Sequence, residues 1–160
     1  MLARHAHGAG LGFRRELIAP LKAAVPEAIR FFELAPENWA GMGGRSAKEL
    51  RHFTERYPFV CHGLSLSLGG PGPLDEALLH RIKAFMAEHG MTLYTEHLSW
   101  CADDSHLYDL LPIPLTEKAV KWTAERATGW PVARGWPPDR HDRAPGHAGR
   151  GFHRIAPPVA

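Results

Sequence analysis

PFVCHGLSLSLGGPGPLDEALLHRIKAFMAEHGMTLYTEHLSW, residues 58–100, is the stretch from which the rest of the chain can be read. It opens on a short apolar run, Phe59–Gly63, and crosses a loop rich in Gly and Pro. It then enters a helical period and closes on a second apolar run, Met91–His97. Asp75 is a plausible N-cap, and Leu78, Leu79, Ile82, Phe85 and Met86 recur at spacings of three and four, one face of a helix over 75–89. Gly90 follows as the stop. Apolar runs this short, bounded by turn signals, fit buried parallel strands, so the stretch reads strand–helix–strand.

The same alternation extends both ways. Leu11–Phe13 precedes a helical stretch over about 14–29 that Pro20 and Pro26 interrupt. Ile29–Leu34 precedes a helix expected to begin at Ser46, where Ser46 and Glu49 form a capping-box pattern and Leu50, Phe53 and Tyr57 make an apolar stripe. A last helix is predicted over 116–126, with Ala119, Val120 and Thr123 facing inward. Four β–α units in series predict an α/β protein with a parallel sheet. Four units are half of a (β/α)8 TIM barrel, which needs about 250 residues when complete. The expected layout is a flexible N-terminus over 1–9, a half barrel over 10–126 and a disordered tail over 127–160. A half barrel leaves sheet edges and apolar faces open, which predicts aggregation or self-association through those edges.

The 160 residues suit one domain. No run approaches the roughly 18–20 apolar residues of a membrane span, and the N-terminus lacks the long apolar segment of a secretory signal. Two cysteines, Cys61 and Cys101, make no disulfide framework, which fits a cytoplasmic location. Charge is unevenly distributed. Residues 1–126 hold 5 Lys and 9 Arg against 11 Glu and 4 Asp, a net of −1. Residues 127–160 hold 5 Arg and 2 Asp with neither Lys nor Glu, a net of +3, and are dominated by Ala, Pro, Gly, Arg and His. Without apolar periodicity such a segment cannot bury enough surface to offset its ordering entropy. Three readings stand for it: an out-of-frame translation of GC-rich coding DNA, a solvated linker, or a basic arm for nucleic acid. The missing Lys and Glu favour the first, and no nucleic-acid or membrane partner is expected.

Catalytic groups of parallel α/β folds gather past the carboxyl ends of the strands. Glu33, Glu37 and Asn38 follow the second strand, His62 the third, and Glu96 and His97 the fourth. His62 and His97 could be metal ligands or acid–base groups, although a lone histidine is more often satisfied by a backbone carbonyl. Alternation along a strand lets only one of Glu96 and His97 face the barrel mouth unless the strand ends between them. The GGPGP loop, 69–73, lacks the ending of a P-loop and reads as a flexible connection. Cys61 should face away from His62 into the core. Cys101, Asp103, Asp104 and His106 are expected in a solvated loop, and His5 and His7 in a mobile terminus.

GLGFR (11–15), ELAPENW (33–39), HGLSLSLG (62–69), TEHLSW (95–100) and DLLPIPLTEKAV (109–120) occur in the order and spacing of the DUF692, or UPF0276, family. The chain resembles the N-terminal half of that family over about 10–126. The resemblance implies a TIM barrel of xylose-isomerase type, about twice this body in length, holding two or three iron ions. It implies an enzyme that uses iron and dioxygen to oxidise cysteine residues of a precursor peptide, often presented by a partner protein. His62 and His97 match the family's iron-binding histidines, and Glu96 and Asn38 match motif positions around them. Beyond Arg126 the resemblance stops. The Leu-Glu-Asn segment that carries a bridging carboxylate has no counterpart, and His141, His147 and His153 stand in no matching context. The implied chain is thus a truncated, inactive member. The alternatives are a non-enzymatic α/β binding module with a basic tail, or a different divalent-metal chemistry on a similar barrel, such as sugar isomerisation or endonuclease-like hydrolysis.

Overall fold

The structure, a computed structural model, describes residues 6–102 and 106–128. They run β1 (Ala9–Gly12), a 3-10 turn (Arg15–Leu17), α1 (Ile18–Ala23), β2 (Ile29–Leu34), a second 3-10 turn (Pro36–Asn38), α2 (Gly44–Thr54) and β3 (Phe59–Gly63). Then follow α3 (Glu76–His89), β4 (Leu93–Glu96), β5 (Ser99–Ala102), β6 (His106–Pro112) and α4 (Glu117–Thr128). Two compact units divide the chain, one of residues up to 64 with 77–94, the other of 65–76 with those from 95 onward.

In the first unit the strands are ordered β1-β2-β3-β4, with β4 running across the boundary into the second. β1 pairs with β2 and β2 with β3 in parallel, Leu11 opposite Phe32 and Phe32 opposite Phe59. An aromatic cluster forms the core. The Phe13 ring lies 5.6 Å from Phe32, 5.0 Å from Phe53, 5.3 Å from Phe59 and 5.4 Å from Trp39, all four of them buried. Edge-to-face rings at such distances are stabilising beyond the area they bury. α3 buries Leu78, Leu79, Ile82, Phe85 and Met86, the five residues whose spacing predicted it, and Gly90 follows at φ 66°.

Other boundaries differ from expectation. Pro20 and Pro26 reduce the first helix to α1, which ends at Ala23. α2 starts at Gly44, two residues before Ser46, with Gly43 as an N-cap that supplies no side-chain bond. Glu49 therefore closes no capping box. Its Oε1 instead takes Arg45 Nε at 3.0 Å and Lys22 Nζ at 3.2 Å, which together hold its carboxyl below the usual range. Tyr57 lies past the helix and packs edge-on against Phe32 at 5.4 Å.

The second unit contains the largest departure. Two strands flank and enter the segment expected to be a solvated loop, β5 pairing antiparallel with β6, Ser99 opposite Pro112 and Trp100 opposite Leu111. Cys101 is buried in β5 rather than solvated. Asp103 and Asp104, the side chain of His106, His5, and the tail beyond Thr128 lie outside the described residues. α4 buries Thr123 and, past its expected end, Ala127, but leaves Val120 exposed.

Candidate metal-site residues

β3 reads Phe-Val-Cys-His-Gly, and His62 is its one half-buried residue among buried neighbours. Strand alternation sends Cys61 and His62 to opposite faces. Cys61 is fully buried, its Sγ 3.3 Å from Met91 Sδ. Burial, with the Glu37 carboxylate adding to it, pushes the Cys61 thiol far up. Its burial on the face opposite His62 suits a small core residue.

Glu37 sits in the 3-10 turn that follows β2. Its Oε1 accepts the backbone N–H of Leu64 at 2.7 Å. A charge-assisted bond of this kind fixes the direction in which the chain leaves β3, two residues past His62. Sequence reading placed Glu37 at a strand end without a task. Its partner is a main-chain amide 27 residues on, which no spacing of side chains announces. Asn38 is exposed, and its carbonyl accepts Arg15 Nη2 at 2.9 Å.

In the second unit β4 ends at Glu96, so His97 lies just beyond the strand and alternation no longer constrains it. Glu96 Oε1 accepts the His97 N–H at 2.8 Å, closing the strand end with a local ring. Both side chains are half-buried.

Downstream of His97, β5 is held by Ser67, a residue sequence reading passed over. Ser67 has φ 52° and is buried. A left-handed non-glycine residue costs of the order of 1–3 kcal/mol, so its surroundings must impose it. Its Oγ accepts the N–H of Cys101 and of Ala102, each at 3.0 Å, and donates to the Ala102 carbonyl at 2.9 Å. The N–H of Gly69 bonds the Ser99 carbonyl at 2.9 Å. A Cβ on Gly70 would stand 2.6 Å from Ser67 Oγ and 2.7 Å from the Ala102 carbonyl, so only glycine fits there. α4 holds the same loop as well. Trp122 Nε1 donates to Gly70 O at 3.0 Å, and Arg126 donates to Gly72 O at 2.6 Å and Ser67 O at 3.2 Å. Burial lowers the Arg126 pKa from its ordinary value, and its guanidinium lies over the Trp122 ring at 5.2 Å. The GGPGP segment, expected to be flexible, is a clamped loop. The signal that could have found it is the pairing of small residues with a Trp and an Arg one helical turn apart.

His62 belongs to the first unit and His97 to the second. Among the described residues no three His, Cys, Asp or Glu side chains assemble into a group that could hold a metal ion. Imidazole suits iron in kind, but metal sites of this sort take at least three protein donors. The residues described therefore do not make a complete iron site.

Residues 8–130 match the family model of the RiPP precursor modification enzyme MbnB/TglH/ChrH. The chain belongs to this family. Its relatives include a UPF0276 protein of Nitrosospira multiformis, 68% identical over 117 residues, which are 73% of this chain and 41% of that protein. A UPF0276 protein of Alcanivorax borkumensis is 60% identical over 124 residues, 74% of this chain and 42% of the relative. One from Pseudomonas aeruginosa is 56% identical over 119 residues, with the same coverage. The chain thus spans about two fifths of the length of the curated relatives it matches. Among the described residues no helix is long and apolar enough to cross a membrane.

Proposed function

We propose that this chain is one part of a cytoplasmic, iron-dependent enzyme that oxidises cysteine residues of a ribosomally made precursor peptide, and that it is inactive alone. The family match over residues 8–130 carries the reading. His62 and His97 would contribute two iron ligands, with Glu96 and Asn38 around them. Glu96 bonds the main chain of His97, the kind of support that fixes a ligand's orientation. Iron, where a complete site holds it, supplies the redox chemistry with dioxygen. Among the described residues no three such donors come together, so the remaining ligands would have to come from elsewhere. The four β–α units would be half of a xylose-isomerase-type barrel, its tail an out-of-frame translation and its open edges prone to self-association. The peptide would arrive on a presenting partner protein.

Metal analysis of the purified chain with a cysteine-containing precursor peptide tests the reading. The expected result is substoichiometric, readily chelated iron and no change in peptide mass. Joining the missing part of a relative in frame after Thr128 should restore both iron and oxidation. His62→Ala or His97→Ala in that extended chain should then abolish them. Tightly held iron and peptide turnover by the 160-residue chain as it stands would show the reading to be wrong.

A further inference from the structure

One cleft of the first unit plays no part in the candidate metal site. It is open to solvent, has a volume of about 550 Å³, and is lined by Lys22 of α1 and by Gly44, Arg45, Lys48, Glu49 and His52 of α2. Small-molecule sites have volumes of roughly 300–1,000 Å³. Arg45, Lys48, Glu49 and His52 share one face of α2 at spacings of three and four, away from the buried Leu50 and Phe53. Lys22 joins them from the last turn of α1. Its Nζ lies 3.2 Å from Glu49 Oε1, which also takes Arg45 Nε at 3.0 Å. Among the described residues Lys48 enters no salt bridge. Three cations thus surround one carboxylate, a net charge of +2 before His52 takes up a proton. A face shaped only by solvation and helix stability would be charged the other way. The amino end of a helix favours anions and disfavours cations. α2 has no acidic residue in its first turn and places Arg45 there, with Lys48 three residues on as a like-charged neighbour. An anion in the cleft offsets both penalties.

We propose that this cleft binds a dianionic phosphate group, either free or carried by a small molecule up to the size of a nucleotide. A dianion matches the net charge of the lining. Glu49 keeps its charge between Lys22 and Arg45, which locates both cations and limits the repulsion it exerts on an incoming anion. The phosphate oxygens take up the remaining guanidinium hydrogens of Arg45 and the ammonium hydrogens of Lys22 and Lys48, which are charge-assisted bonds. The cleft is larger than a phosphate ion alone, so an esterified sugar or base has room beside His52. None of these residues is proposed to hold iron, and the inference is independent of the iron reading.

Lysine footprinting of the intact 160-residue chain tests this, with an amine-reactive reagent read by peptide mass. Lys22 and Lys48 stand in the cleft, while Lys83, Lys118 and Lys121 stand outside it. Inorganic phosphate and adenosine 5′-monophosphate are the probes, with adenosine and sodium chloride at matched ionic strength as controls. Both cleft lysines should be protected severalfold while the other three keep their labelling rates. Protection by phosphate alone identifies the free ion as ligand, stronger protection by the nucleotide identifies an ester, and either result supports the site. Arg45→Ala and Lys48→Ala, both at exposed positions, should each raise the concentration that half-protects Lys22 by about tenfold. Lys83, half-buried in α3, reports in the same samples that each variant remains folded. Protection that sodium chloride or adenosine reproduces, that spreads over all the lysines, or that Arg45→Ala leaves unchanged overturns the inference. Neither metal content nor peptide turnover is read, so failure here leaves the iron reading to its own test.

Discussion

In the first unit Phe13, Phe32, Phe53 and Phe59 meet ring to ring within 5.0–6.0 Å, and all of them are buried. In the second unit Leu110, Leu111, Leu115, Val120 and Trp122 face outward, while buried polar atoms of Ser99, Trp100, Thr123 and Arg126 lack partners. The two regions are stabilised by different means. The first is organised by non-directional burial of apolar surface in a sheet and its helices. The second is organised by directed hydrogen bonds converging on one loop, from Ser67, Trp122 and Arg126. A cluster of rings tolerates missing neighbours at its margin. A hydrogen-bonded clamp fixes a short backbone segment accurately yet leaves the apolar surface around it uncovered.

The contrast is broken most severely by removing a ring. Phe32→Ala should destabilise the first unit by about 3–5 kcal/mol, the range for truncating a buried aromatic side chain. Leu115→Ala, at an exposed position of the second unit, should change stability by no more than about 0.5 kcal/mol. Native-state hydrogen exchange, read separately over β2–β3 and over α4, makes the comparison within one sample. A Phe32→Ala cost below about 1 kcal/mol would mean that the ring cluster is not the organising core.

How much of this was readable beforehand follows from the same division. α3 was legible to the residue because Leu78, Leu79, Ile82, Phe85 and Met86 are buried at helical spacing, and burial is what periodicity encodes. β2 and β3 were legible as short apolar runs for the same reason. The pairing of β5 with β6 was not, because β5 is only four residues long and is anchored by bonds to Ser67 Oγ and from the Gly69 amide, partners about thirty residues earlier that no local pattern announces. Ser46 and Glu49 matched a capping box, yet α2 begins two residues earlier and Lys22 and Arg45 take up Glu49. Val120 satisfied the inner-face pattern of α4, which reports a face able to be buried and not whether anything covers it. At the candidate site, the positions of His62 and His97 at or just past strand ends came from sequence. The Glu37–Leu64 and Glu96–His97 bonds did not, since both end on backbone amides.

A smaller effect should sharpen the other half of the comparison. Ser67→Ala removes the acceptor for the Cys101 and Ala102 amides and the donor to the Ala102 carbonyl. Leaving buried main-chain groups unsatisfied costs about 1–3 kcal/mol. We expect a loss of about 2 kcal/mol confined to the second unit, read as faster exchange of the Cys101 and Ala102 amides. The Leu64 amide, held by Glu37 in the first unit, should keep its protection. Unchanged exchange at Cys101 and Ala102 would mean that the hairpin holds itself and the clamp is incidental.

The smallest effect is a pH dependence in the first unit. His89 closes α3, its Nδ1 3.0 Å from Thr54 Oγ1 and its ring 4.8 Å from Phe85. Burial lowers its pKa below the ordinary 6.5, Glu88 opposes that shift and Arg51 adds to it. In the unfolded chain the imidazole takes up a proton near its ordinary value, while in the folded chain it does so only at lower pH. Between the two values the unfolded state binds more protons, so stability falls as pH drops through 6.5 toward the folded pKa. Above 6.5 both states are neutral and His89 adds no slope. The group is only half-buried, so the loss should be modest beside the other two. His89→Gln keeps a polar partner for Thr54 without titrating. Urea midpoints taken from pH 7.5 to pH 5 should therefore decline less in the variant than in the parent chain. Equal declines would assign the pH response to other groups, and a parent chain that gains stability on acidification would reverse the sign argued here.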